Sequence, residues 1–190
     1  MDQTKSLHAE FHTAYKNHMS TKYEQLGMDF RVWEYSQYEL YGFSLGMFAR
    51  CGLIADEKGM DILLAFIIDV AKSYMDNPYH TFLHAVDVAY VIFWTLTDLR
   101  LWELLGLNSV HVASLLLAAL AHDSLHPGLN NGYQINARTT TAEKFQGQSV
   151  LERLSIEELN RLLDLHPVLE TLKLDNSIEA IKTTFNEDYI

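Results

Sequence analysis

Val110-His111-Val112-Ala113-Ser114-Leu115-Leu116-Leu117-Ala118-Ala119-Leu120-Ala121-His122-Asp123 decides the fold. Up to Ala121 the stretch is apolar on every side of a 3.6-residue spiral, so the spacing predicts a helix over 110–121 that is buried all round. It is too short to cross a bilayer, which needs about 20 apolar residues. Working outward, residues 60–74 are nearly continuously apolar and free of turn residues, which favours a second core helix. Asp76-Asn77-Pro78 then reads as a stop and restart. Asn77 suits a cap and Pro78 a first helical turn, with the new helix running over 78–96. Downstream, Pro127-Gly128 is a break. Ser155 with Glu158 reads as a capping box before Leu159, Leu162 and Leu163. Asp175-Asn176-Ser177 reads as a turn, with a short apolar pattern resuming at Ile178. Nothing alternates with period two, so the expected class is all-α.

Composition narrows the function. The 190 residues suit one domain with a real core, and 48% of them are apolar. A formal net charge of −11 argues against nucleic acid and against anionic membrane, because both require clustered Lys and Arg. It leaves room for a small anionic ligand if a bound dication supplies the local positive field. Cys51 is the single cysteine, so no intrachain disulfide forms, and a reduced cytoplasmic setting is expected. Met1 to Ser6 carry no apolar secretory stretch.

Two segments carry chemistry. In Asn77-Pro78-Tyr79-His80-Thr81-Phe82-Leu83-His84-Ala85-Val86-Asp87-Val88, helical spacing would put His80, His84 and Asp87 on one face. In Ala121-His122-Asp123-Ser124-Leu125-His126-Pro127-Gly128, a buried helix delivers a His-Asp pair at its polar end. Imidazole suits zinc, while carboxylate also suits magnesium or manganese and can bridge two ions. Two such ions would activate a water and clamp a phosphoryl group. A lone H-x-x-x-H pair is a weak signal, and so is a lone His-Asp. Their joint occurrence beside strongly apolar helices leaves a metal site and ordinary structural histidines evenly balanced. His8, His12, His18, His111 and His166 have no such company and read as surface or core histidines.

These segments resemble the class I 3',5'-cyclic-nucleotide phosphodiesterases, within the wider HD-type phosphohydrolases. The first is similar to the family's Y-H-N-x-x-H-A-x-D-V. The second, extended through Leu129-Asn130-Asn131-Gly132-Tyr133-Gln134-Ile135-Asn136, is similar to H-D-x-x-H-P-G-x-x-N-x-F. Ser149-Val150-Leu151-Glu152 resembles the S-V-L-E that opens the next family helix, and Phe30-Arg31-Val32-Trp33 resembles the start of the catalytic domain. The likeness divides the chain into a helical lead-in at 1–27 and part of a catalytic domain, its metal-binding half, at 28–190. It implies a multi-helix fold of the HD type that hydrolyses cAMP, cGMP or both to the 5'-monophosphate.

The resemblance also implies roles. His84, His122 and Asp123 would hold the tighter metal, zinc, and Asp123 would bridge to a second, magnesium or manganese. His80 would be the general acid that protonates the leaving O3'. His126 and Glu152 would hydrogen-bond metal-bound waters. Asp87 would orient a ligand histidine, or else be a solvated or capping residue. Tyr79 and Asn131 would support the substrate pocket, although Asn130-Asn131-Gly132 is also a turn signal by itself. The chain departs from the family at Glu152-Arg153-Leu154-Ser155, where E-N-H-H is usual, and at Phe145-Gln146, where Tyr-Asn is usual. Leu125 stands where Asp or Gly is frequent. The family's fourth ligand, a later Asp, has no counterpart at a matching position, nor do the glutamine and aromatics that hold the base. The choice between cAMP and cGMP is therefore open. Residues 1–190 alone are expected to bind metal weakly, to show little turnover, and to expose apolar faces such as that of 110–121. Those faces would drive self-association or capture of a partner that supplies the missing half. The rival expectation is a degenerate fragment that serves as a regulatory or interaction module.

Overall fold

The computed structural model describes Gly27 and residues 29–175. A 3-10 turn, Val32–Glu34, leads into α1 (Gln37–Arg50), α2 (Glu57–Ser73), α3 (Phe82–Thr97), the one-turn α4 (Leu101–Leu104) and α5 (Ser109–Ala121). There follow α6 (Asn131–Asn136), α7 (Thr140–Lys144), α8 (Val150–Leu165) and α9 (Val168–Thr171). Among the described residues extended backbone pairs at one isolated bridge, Ile54 with Leu172, and no strand forms. The protein is all-α. No helix among the described residues is long and apolar enough to cross a membrane.

The quoted stretch is the central helix. Val112, Ala113, Leu116, Leu117 and Leu120 of α5 are all 0% exposed, while Leu115 is 39% exposed. α3 packs most extensively on α5, and α8 and α2 cover other parts of it. The expectation that this helix would be left bare is thus corrected, because its neighbours within the chain already cover it. The exposed apolar side chains lie elsewhere, with Trp33 in the 3-10 turn and Leu104 and Leu105 beside α4. His111, which had no evident partner in the sequence, caps α5. The Asn108 side chain accepts the His111 N–H at 3.0 Å, and His111 Nδ1 accepts the Asn108 N–H at 3.2 Å. Phe30 packs its ring on Tyr90 of α3 at 4.2 Å and on Phe43 of α1 at 5.0 Å, tying the start of the described chain to the core. Cys51 is a buried free thiol, pushed up to about 12 by burial.

Two helix boundaries differ from the sequence reading, each for a tertiary reason. Helix α3 begins at Phe82 rather than Pro78, with Thr81 as its cap, the Thr81 hydroxyl accepting the His84 N–H at 3.4 Å. Asn77 does not cap because its amide donates to the carbonyls of His126, at 2.6 Å, and His80, at 3.3 Å. Nor does Ser155 begin a helix, since it lies within α8, buried, with its hydroxyl engaged by the carbonyls of Leu151 and Ser124 at 3.2 and 3.0 Å. Helix α8 starts instead after Ser149, which adopts the left-handed region at φ 42°. The lead-in at 1–27, apart from Gly27, and the pattern resuming at Ile178 lie outside the described residues.

The burial pattern of α5 sets an asymmetric expectation. Leu117→Ala should lose about 2–5 kcal/mol of stability, the usual loss for a cavity in a packed core. Leu115→Ala, on the exposed side, should lose less than about 1 kcal/mol. Urea unfolding of both variants checks this, and equal losses would mean that α5 is rotated from the orientation described.

Candidate metal centre

The site forms where the carboxyl end of α5 meets the start of α3. His122 follows the last residue of α5, and its Nδ1 lies 2.8 Å from the Ala119 carbonyl, which can only accept. That bond keeps a proton on Nδ1 and turns Nε2 to the site, where it points a proton at Asp123 when the ring is charged and a lone pair when the ring is neutral. Nε2 is 3.2 Å from Asp123 Oδ2, and the same oxygen is 3.8 Å from His84 Nε2 on α3. One ligand atom from each of the three residues lies within 4.8 Å of the others. Donor atoms arranged around one zinc at about 2.1 Å stand roughly 3.4 Å apart, so the two nitrogens and the carboxylate fit a borderline dication.

His80, Asp123 and His126 form a second cluster on the same 4.8 Å criterion, with a different chemistry. The Gly128 N–H donates to His126 Nδ1 at 3.0 Å. Neutral His126 therefore carries its proton on Nε2 and faces the site as a hydrogen-bond donor rather than as a ligand. His80 and His126 stack at 3.7 Å with a 19° tilt. His80 precedes the cap of α3, so it is not on one helical face with His84 and Asp87. The Asn77 amide, joined to the carbonyls of His80 and His126, brings its ring into place instead.

Charge in the site is finely set. Burial opposes a positive His122, but the Asp123 carboxylate and the Ala119 carbonyl outweigh it and raise its pKa. Burial likewise pushes Asp123 up, yet its hydrogen bond to His122 and the nearby His80 and His126 hold it below the ordinary carboxylate range. Burial depresses His84, helped by the neighbouring His122 charge. Burial depresses His126 too, helped by His80. Both effects favour the neutral imidazole that can serve as ligand or donor.

The remaining sequence candidates take varied places. Glu152, at the start of α8, accepts two bonds from the Asn131 amide, at 3.0 and 3.2 Å. Asn131 Oδ1 accepts the Leu151 N–H at 2.9 Å, so Asn131 joins α6 to α8, while Asn130 supplies the turn chemistry by capping α6. Tyr79 is 63% exposed and leans its ring on His84 at 4.4 Å. Asp87 is half-buried on α3 and acts on His84 through its charge, with no hydrogen bond to a histidine among the described residues. A cavity of about 660 Å³ opens over His80, His122, Asp123 and His126, with Asn131 and Glu152 on its far wall. Sequence reading missed Tyr74 and the bridging role of Asn77. Their only signal is proximity to the histidine segment, because their partners lie 46 to 49 residues away.

The end of α5 and the start of α3 thus bring two imidazoles and a carboxylate together beside a stacked histidine pair, a donor set that could hold a metal ion. The family model "3'5'-cyclic nucleotide phosphodiesterase" matches residues 79–187, more than half of the chain, and the chain belongs to that family. Among similar proteins, the cGMP-specific 3',5'-cGMP phosphodiesterase 3 of Dictyostelium discoideum is 32% identical over 126 residues, covering 66% of this chain and 27% of that protein. The 3',5'-cyclic-nucleotide phosphodiesterase 2 of Saccharomyces cerevisiae is 36% identical over 137 residues, covering 70% and 24% respectively. The solved phosphodiesterase domain of the Salpingoeca rosetta rhodopsin phosphodiesterase superposes with a TM-score of 0.69 at 24% identity. That match covers 90% of this chain and 51% of that chain, and it speaks for the fold. The match therefore spans only about a quarter of the length of these two curated relatives.

The Asn77 bridge generates a prediction. Gly128 has φ +76°, and a Cβ there would meet Asn77 Oδ1 at 2.6 Å. Gly128→Ala should therefore destabilise by about 2 kcal/mol, combining left-handed strain with displacement of Asn77. In an Asn77→Ala background the clash partner is gone and the added loss should fall to the strain alone. A double-mutant cycle by denaturant unfolding measures this coupling, and strict additivity would show that Asn77 and Gly128 do not share the contact.

Proposed function

We propose that the chain carries the phosphate-handling side of an active site that opens a 3',5'-cyclic nucleotide to its 5'-monophosphate. The observation that supports it most is the convergence of His84, His122 and Asp123 on one point beside the His80–His126 stack, at the mouth of a cavity large enough for a nucleotide phosphate. His84 Nε2, His122 Nε2 and Asp123 would hold a zinc, with Asp123 free to reach a magnesium or manganese beside it. Bound there, the two ions would supply positive charge and an activated water for in-line displacement at phosphorus. His80 gives its proton to O3' as the P–O3' bond breaks and the water oxygen bonds to phosphorus, and the proton that the water gives up restores His80 through solvent. His126 donates through Nε2, and Glu152, held by Asn131, accepts, so the pair orients water between them. Tyr79 shields the outer side of His84. The single thiol and the lack of a membrane-crossing helix among the described residues support a cytoplasmic setting. The exposed Leu104 and Leu105 support self-association or a covering partner.

Two substitutions separate the roles. His80→Ala should leave manganese binding nearly intact yet lower hydrolysis about 10²–10⁴-fold, the usual contribution of a positioned general acid. Asp123→Ala should abolish both. Calorimetry on the chain measures binding. Turnover of cAMP and cGMP is followed in the polypeptide or complex that supplies the base-binding side. Activity indifferent to His80→Ala would assign the acid to another residue, and metal binding indifferent to Asp123→Ala would remove the metal centre from this position.

A further inference from the structure

The ligand-bearing turn is held from beneath by a side chain outside the cavity. Tyr74, the residue that ends α2, packs its ring edge-on against Phe82 at 6.1 Å. Its hydroxyl donates to the Leu120 carbonyl at 2.9 Å and accepts the Asp123 N–H at 3.4 Å. Burial raises the Tyr74 pKa, so the hydroxyl keeps its proton and remains a donor. One oxygen thus links the last turn of α5 to the peptide of Asp123, across 46 and 49 residues of chain. The Asp123 peptide in turn aims the carboxylate. Rotating it would carry Oδ2 away from its positions 3.2 Å from His122 Nε2 and 3.8 Å from His84 Nε2. A second bond from the same connection, the Leu125 N–H donating to the Ser73 carbonyl at 2.9 Å, fixes the far side of the turn. Tyr74 is therefore the side chain best placed to control the carboxylate angle.

We infer that Tyr74 is a positioning residue of the metal centre, setting metal affinity through one hydroxyl without touching metal or substrate. The inference rests on the reading of His84, His122 and Asp123 as ligands. Outer partners that orient metal ligands typically change affinity about 10–100-fold when removed.

Tyr74→Phe keeps the ring and its packing and removes only the oxygen. Ile67→Val serves as the control, because it takes one methyl from the fully buried core face of α2 and lowers stability without approaching the turn. Manganese alone is titrated calorimetrically into the 190-residue chain and both variants. The expected result is a Kd raised about 10–100-fold by Tyr74→Phe and unchanged by Ile67→Val. Wild-type affinity in Tyr74→Phe, or an equal loss in Ile67→Val, would overturn the inference. A metal-free measurement runs alongside, namely amide hydrogen exchange over residues 121–126. Exchange there should quicken at least about fivefold in Tyr74→Phe, as expected for a lost hydrogen bond, and stay unchanged in Ile67→Val. If the wild-type chain binds no manganese, the ligand reading falls and the positioning claim with it, while quickened exchange would still show that Tyr74 holds the turn. Unchanged exchange in Tyr74→Phe overturns the inference outright.

Discussion

The structure depends on how the carboxyl end of α5 disposes of its carbonyls. A helix leaves its last carbonyls without intrahelical donors, and here that end is buried, where an unsatisfied carbonyl costs about 1–3 kcal/mol. The Ala119 carbonyl takes the His122 ring N–H, the Leu120 carbonyl takes the Tyr74 hydroxyl, and the Ala121 carbonyl takes the Ser124 N–H. The first two bonds serve a second end. The bond to Ala119 decides which His122 nitrogen is free, and the bond to Leu120 anchors the oxygen that also meets the Asp123 peptide. Capping the helix and building the site are one act. Burying an apolar helix to its last residue demands polar groups to close it, and those groups are the ones that cluster at this position.

The same burial governs the charges. Three histidines and one carboxylate sit in a partly desolvated corner where burial penalises every charged form. Asp123 remains ionised because His122 lies 3.2 Å away, and the raised pKa of His122 is the other face of that pairing. His84 and His126, farther from the carboxylate, yield to burial and stay neutral. The corner therefore holds an ionised Asp123 with His84 and His126 kept neutral, while His122, its pKa raised by the same carboxylate, is the imidazole from which a dication would displace a proton. The chain as a whole carries a formal net charge of −11, so its long-range field favours cations over anions.

Much of this could be read from the sequence, and what could not has a physical cause. The all-apolar run of α5 was expected to be buried on all sides, and the structure buries most of it while leaving His111 and Leu115 exposed along one edge. The His-x-x-x-His and His-Asp pairs were legible as one cluster, and the structure brings His84, His122 and Asp123 together, although His80 lies before the helix and not on one face with His84. The start of α3 and the start of α8 were misread where a local signal competed with a long-range bond. Asn77 has the chemistry of a cap, but the carbonyls of His80 and His126 offer its amide a better-placed pair of acceptors. Ser155 has the chemistry of a cap as well, but a hydroxyl inside a helix can bond the carbonyl four residues back, and Ser155 does so. Tyr74 could not be found because nothing in an apolar stretch distinguishes a tyrosine that packs from one whose oxygen is needed 46 residues away.

Leu125 shows how tightly the turn is specified. Its φ is 61°, a left-handed conformation that costs an L-residue about 1–2 kcal/mol and that Gly or Asp accommodates more readily. Here leucine accepts the strain. Its N–H is tied to Ser73, the preceding carbonyl takes the Ser155 hydroxyl, and the following residue is held by Asn77. The turn is thus anchored at three consecutive residues to the end of α2, to α8 and to the connection between α2 and α3. The placing of His122 and Asp123 is consequently a property of the folded backbone, and the strain at Leu125 is borne by the packing of α2, α5 and α8.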